Sequence, residues 1–117
     1  MKKASEKLAL INQLMSQLEK KYPAETNAFM SFMKKTEAGP ALGGKENELI
    51  NVALSVAAQC EWCIALHVKQ AIGVGATRDE IIEAGYLAVL MHGGPALMYL
   101  IYVVEALDEF LPDGEDD

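Results

Sequence analysis

The chain has 117 residues, enough for one domain of ordinary size, and with 51% hydrophobic residues it can pack a core without disulfide staples. Seventeen acidic against ten basic side chains give a formal charge of -7, which argues against a nucleic-acid binder and against docking on an anionic membrane. The richest apolar stretch, Ile81 to Leu107, is interrupted by Glu83, His92, Gly93, Gly94, Pro95 and Glu105, so a transmembrane span is not expected.

The predicted elements are helical from the start. Met1-Lys2-Lys3-Ala4-Ser5-Glu6 lacks the apolar run of a signal peptide, and a cytoplasmic location is expected. In that compartment a cysteine pair serves redox or metal chemistry more often than structure. Leu8, Ile11, Met15 and Leu18 recur at spacings of three and four, with polar residues between them, as one face of a helix requires. Tyr22-Pro23 ends that helix, and Pro23 suits the first turn of the next because its missing N–H is no loss there. The span 24–35 then carries Phe29, Phe32 and Met33 on one side. Gly39-Pro40-Ala41-Leu42-Gly43-Gly44 reads as a loop.

A third helix is predicted over 45–58, with Leu49, Val52, Ala53 and Val56 as its apolar face, and a fourth over 60–72. Gly73-Val74-Gly75 supplies the stop, since glycine tolerates positive φ at a helix C-terminus. Thr77-Arg78-Asp79-Glu80 has the pattern of a capping box and opens a fifth helix running to about Met91. Gly93-Gly94 breaks the chain, and 95–110 forms a sixth helix before an acidic tail over 112–117. The fold class is therefore all-α, with about six helices in one domain over 1–117. Helices four and five are small and apolar almost all round, which a chain this short has difficulty hiding alone. A homo-oligomer with a helical interface is expected.

Chemistry concentrates in Cys60-Glu61-Trp62-Cys63-Ile64-Ala65-Leu66-His67. This stretch holds the only two cysteines and one of the only two histidines. On a helix, Cys60, Cys63 and His67 at spacings of three and four project from one face. A helix N-terminus stabilises a thiolate, the reactive form of cysteine. His67 is placed to take the Cys63 proton, and Cys60 is placed to trap an oxidised Cys63. Such a base needs a third group to orient it, and Glu48 is the candidate, with Glu46 and Glu61 as alternatives. On one unbroken helix Glu48 and His67 would stand roughly 28 Å apart, so contact demands a turn near Ala57 to Gln59. The alternative reading of the same residues is a metal site of Cys60, Cys63 and His67, completed by Glu48. Inert buried cysteines are the plainest alternative. Trp62 fits a shielding or interface residue. His92 reads more simply as structural than as part of a pocket, and Tyr86, Tyr99 and Tyr102 as core or interface aromatics.

The run Glu48-Leu49-Ile50, then Cys60 to His67, then Gly75-Ala76-Thr77-Arg78-Asp79-Glu80-Ile81, resembles the alkylhydroperoxidase D-like branch of the carboxymuconolactone decarboxylase family. His92-Gly93-Gly94-Pro95-Ala96 is similar to the glycine-rich stretch before that family's last helix. The resemblance covers roughly 40–106. It implies an all-helical fold assembled as trimers, hexamers or related rings, and a thiol-dependent peroxidase or disulfide reductase. By matching position, Cys63 would become the sulfenic acid, Cys60 would resolve it, and His67 oriented by Glu48 would relay protons. A hydroperoxide substrate and an external dithiol reductant would be the partners, with no organic cofactor and no metal. The chain departs from the branch at Trp62, where a second histidine can stand, and in its length, since it carries a single helical motif. A metal-binding module, a non-redox interaction protein and a lactone lyase are the alternatives on the same fold.

Overall fold

In a computed structural model, residues 2–112 are described. They form α1 (Ala4–Lys21), α2 (Pro23–Glu37), α3 (Gly44–Ala57), α4 (Glu61–Gly73), α5 (Arg78–His92) and α6 (Gly94–Phe110), with no strand among the described residues. The all-α reading of the sequence holds. Of the acidic tail expected over 112–117, all but Pro112 lies outside the described residues.

The core is built by α3 to α6. Helix α3 packs on α4 and α5, and α6 closes the other side against the same two helices. Val52 and Val56 from α3, Ile64 and Val68 from α4, Ile81 from α5, and Val103 and Leu107 from α6 are fully inaccessible. Burying a side chain of this size contributes about 1.5–3 kcal/mol, so these positions hold the bundle together. Gly85 allows a close approach of α5 to α6, because a Cβ there would stand 2.6 Å from Leu100 Cδ2. Helix α1 lies across α4 and α6, and α2 folds back on α1.

Lys7 fastens α1 to this core. Its side chain is buried, with Nζ 3.5 Å from Glu61 Oε1 on α4 and 3.6 Å from Glu105 Oε1 on α6. The ammonium also sits 4.4 Å from the centre of the Tyr102 ring. A buried charge is tolerable only with such partners. The periodicity of α1 marks its apolar face but gives no sign that a lysine belongs to the buried side.

Two helix ends use the same device. At the end of α3, Gln59 N–H donates to Val56 O at 3.0 Å and Cys60 N–H to Ser55 O at 3.2 Å, while Gln59 takes φ +57°. At the end of α4, Gly75 N–H donates to Ile72 O and Ala76 N–H to Ala71 O, both at 3.0 Å, with Gly75 at φ +92°. Both are Schellman closures, in which a left-handed residue reverses the chain and satisfies the last carbonyls. The second carries the expected glycine. The first places a glutamine in the left-handed region.

Candidate functional site

Cys60 serves two helices at once. Its N–H completes the closure of α3, and its side chain caps α4, where Cys60 Sγ accepts from Cys63 N–H at 3.1 Å. The sequence places Cys60 inside the fourth helix; in the structure it is the N-cap, with extended backbone at φ -114°. That shift by one position aims an unpaired helix N–H at its sulfur, and the positive end of the helix dipole favours a thiolate there. Cys60 and Cys63 are joined as a disulfide, with their Cα atoms 5.3 Å apart. Both residues are half-buried.

The turn demanded between α3 and α4 lies at Ala58 and Gln59, and it returns α4 alongside α3. Glu48, in the second turn of α3, and His67, in the second turn of α4, then face each other. His67 Nδ1 lies 2.9 Å from Glu48 Oε1, with both side chains largely removed from solvent. An ionised carboxylate can only accept, so the pair assigns the ring proton to Nδ1 and leaves the Nε2 lone pair available. His67 stands one helical turn beyond Cys63, the spacing at which side chains on one helix meet.

Two further side chains belong to this cluster and were missed by sequence reasoning. Gln70, with its amide turned to the acceptors it faces, donates from Nε2 to Glu48 Oε1 and Oε2, both at 3.2 Å. It lies three residues beyond His67, so a helical wheel extended by one turn would have found it. Glu37, the last residue of α2, brings a second carboxylate to the pair. A carboxylate oxygen of Glu37, one of Glu48 and a ring nitrogen of His67 all lie within 4.8 Å of one another. Glu37 Oε2 accepts from Asn51 Nδ2 at 3.3 Å, and its backbone carbonyl accepts from Asn47 Nδ2 at 2.9 Å. The predicted second helix stops at residue 35, whereas α2 runs two residues further and delivers Glu37 to the site.

Other candidates take different places. Glu61 points to Lys7 and is engaged there. Glu61, and then burial, hold the Tyr102 hydroxyl above its ordinary range. Trp62 is exposed and lines an apolar groove with Leu10, Ile11 and Leu14 of α1. His92 ends α5 at the surface. For the metal reading, cysteines bonded to each other offer no thiolate ligands. The ligand atoms that converge are those of Glu37, Glu48 and His67, of which the sequence-based set contained Glu48 and His67.

The comparisons agree with this architecture. Residues 23–106 match the model of the carboxymuconolactone decarboxylase family, a longer span than the 40–106 expected from the motifs. An uncharacterized protein of Cupriavidus necator is 36% identical over 93 residues, covering 80% of this chain and 82% of its own. Uncharacterized protein 4 in the cox locus of Paracoccus denitrificans is 39% identical over 83 residues, covering 71% and 75%. The crystal structure of an apo carboxymuconolactone decarboxylase family protein from Legionella pneumophila superposes with a TM-score of 0.87 at 36% identity, covering 92% of this chain and 96% of that one. A six-helix bundle with a Cys60–Cys63 disulfide, matched along most of its length in sequence and in fold, belongs to the carboxymuconolactone decarboxylase family.

Proposed function

We propose that the protein is a thiol-dependent peroxidase of the alkylhydroperoxidase D-like branch, with Cys60, Cys63, His67 and Glu48 as its redox centre. The observation that carries this reading is the Glu48–His67 contact of 2.9 Å set one helical turn from a bonded Cys60–Cys63 pair. A carboxylate that fixes the imidazole tautomer makes the other ring nitrogen a base.

In the reduced protein, His67 Nε2 takes the Cys63 proton. The Cys63 thiolate attacks the terminal oxygen of a hydroperoxide, the O–O bond breaks, and the imidazolium returns the proton to the leaving alkoxide. Cys63 becomes a sulfenic acid and an alcohol departs. Cys60, its thiolate favoured by the Cys63 N–H, attacks the Cys63 sulfur and displaces hydroxide, which takes up the proton Cys60 has released and leaves as water, closing the disulfide. An external dithiol then reduces the pair and is itself oxidised. The chemistry calls on no organic cofactor and no metal, and it suits a reducing compartment such as the cytoplasm.

A homo-oligomer is part of the proposal. Tyr86, Leu87, Leu90 and Met91 on α5, with Met98 and Ile101 on α6, are more than half exposed. A contiguous apolar face of that kind is characteristic of a protein interface. Sedimentation at the mass of one chain would remove this element.

Turnover of an organic hydroperoxide with excess dithiol tests the activity. Cys63→Ser should abolish it, and His67→Ala should lower it by about 100-fold, the usual contribution of a positioned base. Turnover retained in Cys63→Ser would sink the assignment.

A further inference from the structure

We infer that Glu37, Glu48 and His67 form a zinc site, and that zinc held there blocks the base by fixing the ring in its other tautomer. The site stands on its own geometry; what its occupation means for peroxide turnover rests on the reading above.

Three helices bring one ligand each. Glu37 ends α2, Glu48 lies in α3 and His67 in α4, and their ligand atoms converge within 4.8 Å. One imidazole and two carboxylates suit zinc, which accepts nitrogen and oxygen and imposes no geometry of its own. Magnesium and calcium prefer oxygen throughout. Ligand atoms bound to one zinc ion stand about 3–3.5 Å apart. His67 Nδ1 and Glu48 Oε1, at 2.9 Å, are close to that separation already. Glu37 has only to move its side chain inward by about 1–2 Å to join them.

Two features beyond proximity point to a cation. Glu48 is buried, and among the described residues neither carboxylate forms an ion pair with lysine or arginine. Buried carboxylates are ordinarily paired with a cation or bound to a metal, and a neutral imidazole does not offset two of them. An outer shell is also present. Asn51 donates to Glu37 and Gln70 to both oxygens of Glu48, so each ligating carboxylate is held from behind, as metal ligands are. Glu37 and His67 are only half-buried, so the ion can enter. Zinc binds imidazole through a lone pair, here that of Nδ1, and the ring's single proton moves to Nε2. The nitrogen that would take the Cys63 proton then carries one of its own and is no longer a base.

Oxidised, metal-free protein provides the test, because its bonded cysteines offer zinc no thiolate. Calorimetric titration with zinc chloride should show one equivalent bound per chain, and magnesium chloride none. Glu37→Gln, which keeps the shape and removes the charge, should weaken zinc binding by at least about tenfold. Glu46→Gln, at an exposed position of α3 outside the set, should leave it unchanged. The chain has two histidines, and His92 at the surface serves as an internal reference. In nitrogen-15 spectra at mildly alkaline pH, one equivalent of zinc should move the ring proton of His67 from Nδ1 to Nε2 while His92 stays as it was. Zinc binding of equal strength in the wild type and Glu37→Gln, or a His67 ring unmoved by zinc, overturns the inference and leaves the peroxidase reading standing. Failure of the peroxidase reading in the Cys63→Ser assay would leave the zinc titration valid.

Discussion

Gln59 pays for the position of Cys60. Its φ of +57° is a conformation that L side chains avoid at a cost of roughly 1 kcal/mol. The strain is tolerated because the N–H groups of Gln59 and Cys60 close α3 and set Cys60 at the first turn of α4. Gln59→Gly should therefore raise stability by about 0.5–1 kcal/mol, the steric relief outweighing the greater freedom glycine gives the unfolded chain. A higher denaturant midpoint at unchanged slope would report it; a lower midpoint would show that the glutamine side chain contributes to the junction. The placement of the candidate residues was legible, because two cysteines and a histidine at helical spacing leave few arrangements. That Cys60 is a cap was not legible, since the α3 closure lacks the glycine that marks the corresponding closure of α4 at Gly75. Lys7 was missed for a related reason: periodicity ranks lysine as exposed, and only its two carboxylates and the Tyr102 ring make its burial tolerable.

At the scale of elements, α5 shows how directly a local pattern can be read. Thr77 Oγ1 accepts from Glu80 N–H at 3.1 Å and Glu80 Oε1 accepts from Thr77 N–H at 3.0 Å, the reciprocal box expected from the sequence. Lys45 of α3 adds a contact of 3.0 Å to Glu80 Oε2, tying α5 to α3. The Thr77 N–H, and then Lys45, hold the Glu80 carboxyl below its usual range, against a smaller opposing effect of desolvation. A carboxyl with a lowered folded value stabilises the protein above its unfolded value and loses that contribution as pH falls through the folded one. Glu80→Gln should therefore be less stable than the wild type near neutral pH, with the gap closing as the solution is acidified below about 4.5. Thermal unfolding of both proteins across that range measures it, and a gap that stays constant with pH would contradict the assignment. The end of α2 was less legible. Residues 36–38 carry no strong stop or start signal, and Glu37 is drawn to the site by Asn47 and Asn51, partners that lie beyond a glycine-rich loop.

The whole molecule joins a site made by neighbouring helices to a surface that one chain leaves uncovered. Helices α3 and α4 bring Glu48, Cys60, Cys63 and His67 together through a turn of two residues, so the centre is local in sequence even though Glu48 and His67 are far apart along an ideal helix. This is why the sequence alone could name those four residues and the turn they need. Gln70 and Glu37 complete the polar cluster from one turn further along α4 and from the preceding helix. The sequence marks helices four and five as apolar almost all round, whereas the structure leaves the apolar outer face on α5 and α6 and largely covers α4. The extent of that face over Tyr86, Leu90, Met91 and Met98 follows only from the way α3 and α4 occupy the opposite side.

A mass measurement tests the proposed redox centre most directly. Fully reduced protein is treated with one equivalent of an organic hydroperoxide and weighed intact under denaturing conditions. The expected result is the loss of two hydrogens within one chain, absent in Cys63→Ser, together with one equivalent of the corresponding alcohol. An unchanged mass in the wild-type protein, with the hydroperoxide left intact, would contradict a peroxidase built on Cys60 and Cys63.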